Sequence, residues 1–228
     1  MTKTEELDQL FERWIAKQNA KGEKSFCKDG IVNEEVFSKE KTRLLIISNE
    51  SNDGKKSTPV LADRRIAFRD YFSLGHDNWR GKLRERCCEM YKLLTDQKEM
   101  PTNEAALHFA FMNLNKQGGG EISNVSHIAQ YCDSYKNEIL EEIRIIDPDI
   151  IIWSGLKTIS IACNQLGVKE QDGVKTLCVN GRSVPVIATW HTSYYRGKNE
   201  PLPGYSNRTV GKLMKKLNDE LVKAKWKA

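Results

Sequence analysis

The sequence predicts an α/β fold: a three-layer α/β/α sandwich around a central, mainly parallel four-stranded sheet, in a single domain over residues 1–228. Three observations predict it. Four short runs are almost wholly apolar: "RLLIIS" (43–48), "ALHFAFMN" (106–113), "DIIIWSG" (149–155) and "SVPVIATWH" (183–191). Such runs suit strands buried on both faces, as in a parallel sheet covered by helices. Between them, apolar residues recur at helical spacing, so strands and helices alternate. Each run also stops abruptly at polar or glycine residues, and ligands of α/β sheets bind outside the carboxyl ends of the strands.

The elements follow in order. Leu7, Leu10, Phe11, Trp14 and Ile15 form one stripe, so residues 4–19 read as an amphipathic helix packed on a core spanning 43–222. Strand one (43–48) is followed by a polar stretch, 53–78, with a helix near 62–72, and by a helix over 79–95. Strand two (106–113) runs into "NKQGGGE", read as loop. Ile128, Tyr131, Cys132, Tyr135, Ile139, Ile143 and Ile146 line one long helix, which stops at Asp147 because Pro148 disfavours helix before it. Strand three (149–155) leads to a helix over 156–166 closed by Gly167, and strand four (183–191) precedes a last helix with Val210, Leu213, Met214, Leu217 and Leu221 inward.

Composition narrows the class. Hydrophobic residues are 39% and charged residues 29% of the chain, which suits a globular protein and is too varied for disorder. No apolar stretch approaches the roughly 18 residues that span a bilayer. The start, "MTKTEELDQLFERW", lacks the apolar core of a signal peptide. The six cysteines form no CxxC pair and no metal-knuckle spacing, so they read as free thiols in a reducing, cytoplasmic setting. Net charge is only +5, yet residues 54–92 hold ten Lys/Arg against five acids, and Arg208, Lys212, Lys215, Lys216, Lys223, Lys225 and Lys227 crowd the C-terminal segment. Such runs suit either a solvated helix face or contact with a polyanion.

The strand ends gather the chemistry. Strand one ends in Ser48-Asn49-Glu50-Ser51-Asn52, strand two in Asn113-Leu114-Asn115-Lys116-Gln117 and three glycines, strand three in Trp153-Ser154-Gly155, and strand four in Trp190-His191. A carboxylate, several amides, a glycine turn and a histidine would converge on one sheet edge. On "LLIISNESN", "FAFMNLNK", "EEIRIIDPDIIIWSG" and "VPVIATWHTSYYRG", in this order and over residues 43–197, the chain resembles the uracil-DNA glycosylase superfamily. That family has an acid or amide in a turn after strand one, an Asn ending an apolar strand, often as N-x-x-K, a "P-x-x-I-I-x-x-G" strand, and a last strand entering His-Pro-Ser. Here Ser48 stands for the usual Gly and Thr192 for the Pro, the four cluster-binding cysteines of the iron–sulfur members are absent, and the triple glycine is atypical.

The resemblance implies a DNA glycosylase that flips a pyrimidine out of DNA and hydrolyses its N-glycosidic bond, in base-excision repair or in defence against phage with modified DNA. It implies DNA as partner, single- or double-stranded. No His/Cys/Asp cluster has ligand spacing and a departing base anion needs no Lewis acid, so no metal or cofactor is expected. Nor is a membrane, and the chain is expected to be a monomer. Glycosidic cleavage passes through an oxocarbenium-like state with negative charge growing on the base. A carboxylate near the sugar and a donor against the base carbonyl would balance the two charges. By the family's positions, Glu50 supplies the carboxylate, with Asn49 the alternative, and His191 the donor. Asn113, or Asn115, would read the base edge, and Phe72, or Phe68 or Tyr71, would stack on it. Lys116 with Gly118 and Gly119 would contact phosphate. Ser193, Tyr194, Tyr195 and Arg196 would fill the gap left in the duplex. The excised base stays open between uracil and a larger modified pyrimidine. Two other classes stay open as well: a nucleic-acid-binding module of the same fold without catalysis, and a small-molecule nucleotide hydrolase. Neither a G-x-x-x-x-G-K-[ST] phosphate loop nor a G-x-S-x-G elbow is present, which argues against kinases and serine esterases.

Overall fold

The computed structural model describes residues 1–23, 26–52, 83–119, 123–191 and 210–224. The described elements, in chain order, are α1 (Lys3–Ala20), β1 (Gly30–Ile31), α2 (Glu34–Phe37), β2 (Leu44–Asn52), α3 (Leu83–Thr95), α4 (Thr102–Ala105), β3 (Phe109–Gly119), α5 (Val125–Ser134), α6 (Lys136–Ile146), β4 (Ile150–Ser154), α7 (Ile159–Gln165), β5 (Lys169–Gln171), β6 (Val174–Val179), β7 (Arg182–Thr189) and α8 (Val210–Lys223). The expected helix at 62–72 lies outside the described residues.

One mixed sheet organises the chain, in the order β1-β3-β2-β4-β7-β6-β5. Its parallel core, β3-β2-β4-β7, is made of the four strands expected from the apolar runs. The sheet nevertheless has seven strands, not four. Gly30–Ile31 pairs antiparallel with β3 at one edge, and β6 and β5 extend the other edge antiparallel to β7. The strand β1 is too short to show a period. The β5-β6-β7 meander did carry a sign: Asp172-Gly173 and Asn180-Gly181 close its two turns with φ of 53° and 78°, then 48° and 78°. Paired positive φ values are what a two-residue hairpin turn demands, and Asp-Gly and Asn-Gly supply them at least cost.

Strand alternation divides the core. Leu45, Ile47, Ala110, Met112, Ile151 and Trp153 face α1, α5, α6 and α7, whereas Leu44, Ile46, Phe109, Phe111, Ile150 and Ile152 face α3 and α8. Helix α1 starts at a capping box between Thr2 and Glu5 and buries Leu7, Leu10, Phe11 and Trp14 on the first side. In α8, Leu217 and Leu221 are buried on the second. The long helix expected through 128–146 is two helices that meet at Tyr135, whose φ of −127° breaks the spiral. The apolar stripe runs through that break without a change of period, so periodicity alone could not reveal it.

At the amino ends of the parallel strands, an ion cluster ties the sheet together. Arg43, before β2, reaches Asp147 and Asp149, and Arg182, opening β7, reaches the same two carboxylates. The chemistry expected of the fold therefore concentrates at the opposite, carboxyl edge. Among the described residues no helix is long and apolar enough to cross a membrane.

Candidate active site

The chain leaves β2, adds β3 on one side, then crosses to β4 and β7 on the other. The order of parallel strands thus reverses next to β2, which is where a crevice opens in such sheets. Two strands overrun their expected ends there. The strand β2 continues to Asn52 and β3 to Gly119, so Glu50, Asn115, Lys116, Gly118 and Gly119 are strand residues, not turn or loop. Gly118 and Gly119 pair with Ser51 and Asn52 past a register shift after Glu50. Their backbone is committed to the ladder, unlike that of an open phosphate-cradling loop.

Ser48 pairs with Asn113 and Glu50 with Asn115, and side chains two apart on a strand share a face. The four polar side chains therefore lie on the α3/α8 side of the sheet. A rise of about 3.3 Å per residue puts Glu50 roughly 7 Å beyond Ser48. Half-buried Glu50 accepts from Asn115 Nδ2 at 3.0 Å. Fully buried Asn115 is fixed in turn, its Oδ1 accepting from the backbone of Gln117 at 2.9 Å. The carboxylate is thus aimed by its neighbour strand.

His191 follows β7 and is only 9% exposed, so it is not the surface-turn residue its place in the sequence suggests. Its Nε2 lies 3.0 Å from Ser48 Oγ. Burial, with the positive charge of Arg86 on α3, lowers the imidazole to about 4. The ring is therefore neutral near pH 7, with one N–H to donate and one nitrogen to accept.

Asn113 is 3% exposed, and its backbone N–H donates to Asp29 Oδ2 at 2.7 Å, with its Nδ2 at 3.4 Å from the same oxygen. Asn49 departs from expectation. Alternation turns it to the opposite face, where its Oδ1 accepts from Thr158 Oγ1 at 2.9 Å. Trp153 Nε1 donates to the same hydroxyl oxygen at 3.0 Å. Gly155 lets this pass, because a Cβ there would sit 2.8 Å from Thr158 Oγ1 and 2.9 Å from Asn49 Oδ1. Asn49 thus braces the turn after β4 and does not stand beside Glu50 as an alternative catalyst.

Lys116 departs further. Its side chain is fully buried between the carboxylates of Asp29 and Glu142, under the rings of Phe11 and Trp14. An ammonium so enclosed cannot meet a phosphate. Burial would lower its pKa, but the two carboxyl groups outweigh burial and raise it. Phe72, with Phe68 and Tyr71, and Ser193, Tyr194, Tyr195 and Arg196 lie outside the described residues.

Reading the residues in line missed Ser48, Thr158, Asp29, Glu142 and Arg86. Glu142 carried a sign, because it occupies an inward position on the stripe between Ile139 and Ile146. Arg86 was hidden inside a basic run whose other members suit solvent. Ser48, Thr158 and Asp29 are ordinary turn-forming types, and only pairing in space singles them out. No family model matches the chain, and no curated protein matches it.

Proposed function

We propose that the protein is a DNA glycosylase that extrudes a pyrimidine, uracil or a larger modified base, and hydrolyses its N-glycosidic bond to leave an abasic site. One observation carries this reading: a buried, neutral His191, held by Ser48, stands at the same strand edge as a carboxylate, Glu50, that a neighbouring amide keeps aimed. A neutral imidazole can donate one N–H to the carbonyl oxygen on which charge grows as the base leaves. It gives up no proton in doing so, and its low basicity suits that electrophilic task. The carboxyl group of Glu50 would offset the positive charge growing on the sugar and orient the attacking water. Asn113, opposite Ser48 in the ladder, would read the base edge through its amide. The resemblance of the four strand-end motifs supports the same assignment, and repair and defence against phage with modified DNA are both roles for such an activity.

The test is incubation with single- and double-stranded oligonucleotides carrying uracil or enlarged pyrimidines, followed by alkali to break abasic sites. Alkali-labile breaks at one altered base are expected. Glu50→Gln and His191→Ala should each slow their formation by about 10²–10⁴-fold. Because His191 is buried, thermal melts must show that its variant is folded. Tight DNA binding without breaks would mark a non-catalytic module, and turnover of free nucleotides without DNA affinity would mark a small-molecule hydrolase. Either outcome overturns the proposal.

A further inference from the structure

Three ionisable side chains meet in the buried layer between α1 and the sheet, joined to the site above where Asp29 accepts from Asn113. Lys116 Nζ contacts Asp29 Oδ1 and lies 2.8 Å from Glu142 Oε2, with the side chains of all three fully buried. The Phe11 and Trp14 rings lie 5.6 Å from the ammonium. One carboxylate would balance one lysine, so a second is in excess. It is accommodated as an acid: burial drives the Glu142 carboxyl well above its usual range, the Lys116 charge opposes this, and Asp29 adds to it. The arrangement is one amine enclosed with two carboxyl groups, both in contact with it. That is more than an ion pair needs.

We propose that this cluster forms an isopeptide bond between Lys116 Nζ and Asp29 Cγ, with Glu142 shuttling the protons. With all three side chains buried, passing a proton from Nζ to Asp29 removes two charges that are costly to keep there. Glu142 touches Lys116 and can take that proton on one oxygen while giving its own to Asp29 from the other. The free amine then adds to the Asp29 carboxyl carbon. Asp29 Oδ2, which accepts the Asn113 backbone N–H at 2.7 Å, carries the oxyanion. Glu142 removes a proton from the attacking nitrogen and protonates Oδ1, which leaves as water when the carbonyl re-forms. One C–N bond replaces one C–O bond, one water is released, and Glu142 ends as the acid it began as. No oxidant or cofactor is consumed. Enclosure of both reactants supplies the proximity that an amide condensation lacks in solution.

The bond has a structural purpose. The strand β1 has two residues, too few to hold an edge by its own ladder. A link from Asp29 to Lys116, 87 positions apart, would pin it to β3 and close a long loop of the unfolded chain. The inference does not depend on the glycosylase reading.

The experiment is intact-mass measurement on the denatured wild-type chain and on Glu142→Gln and Lys116→Arg. Wild type should be one water lighter than its sequence, both variants should have their full sequence mass, and a protease digest of wild type should yield a branched peptide joining residues 29 and 116. A wild-type chain of full mass overturns the proposal. So does a water loss that persists in Lys116→Arg or is reversed by mild alkali, because Asp29-Gly30 could lose water as a succinimide instead.

Discussion

Replacing Asp149 by Asn should destabilise the protein, and by an amount that depends on pH. Asp149 accepts from the Arg43 backbone at 3.0 Å, from Arg43 Nε at 3.0 Å and Nη2 at 2.9 Å, and from Arg182 Nη1 at 2.7 Å. An amide offers one acceptor oxygen in place of two and turns an NH₂ toward a guanidinium. Hydrogen bonds to charged groups contribute about 1.5–3 kcal/mol each, but these share partners on a half-exposed edge, so the expected loss is about 2–3 kcal/mol at pH 7. Burial raises the Asp149 pKa, yet the bonds from Arg43 and Arg182 outweigh it and hold the carboxyl well below the usual range. A depressed folded pKa contributes stability that is complete above the unfolded value of about 3.9 and fades as pH falls below it. At pH 3 the unfolded chain has taken up most of a proton that the folded chain still refuses. The gap between wild type and variant should therefore narrow by about 1 kcal/mol from pH 6 to pH 3. Urea denaturation at pH 6, 5 and 3 measures it through the midpoint at constant slope. A gap of equal size at pH 6 and pH 3 would refute the charge-based account and leave only lost packing.

Other expectations follow from the carboxyl edge. His191 should titrate near 4 by NMR, and because its folded value lies below the unfolded one, its contribution is complete above about pH 6.5 and lost as pH falls toward 4, by up to about 3 kcal/mol; His191→Gln should flatten that slope, and a ring titrating near 6.5 would show it is not held neutral. Gly155→Ala should lower stability by about 1–3 kcal/mol, since its Cβ would press two hydrogen-bonding oxygens apart; an unchanged melting temperature would show that the turn yields freely. Asn115→Leu should slow base release about tenfold by freeing Glu50 from its anchor, and unaltered single-turnover rates would mean that the carboxylate needs no aiming. Asn113→Asp should weaken excision of a base presenting a carbonyl by about 1–3 kcal/mol relative to one presenting an amino group; a panel of substrates in wild-type order would show that Asn113 only supports the ladder.

The sequence by itself determined the parallel core. Runs such as "LLII" and "IIIW" are apolar on every residue, and only a strand covered on both faces, here β2 and β4, buries every position of such a run. It also determined that Glu50, Asn113 and His191 would stand at one edge, because parallel strands all end on the same side. Tertiary structure decided which way each of them points and what it meets. Asn49 and Glu50 are neighbours in the chain, yet the pleat sends one to Thr158 and the other to Asn115. Lys116 reads as a loop cation beside three glycines, but the ladder runs on past it and buries it between Asp29 and Glu142, residues 87 and 26 positions away. The neutrality of His191 comes first from its burial, to which the charge of Arg86, more than a hundred residues earlier in the chain, adds. Periodicity records which residues avoid water. Facing direction at a strand end, and the charge a buried group carries, depend on partners that only folding brings within a few ångströms.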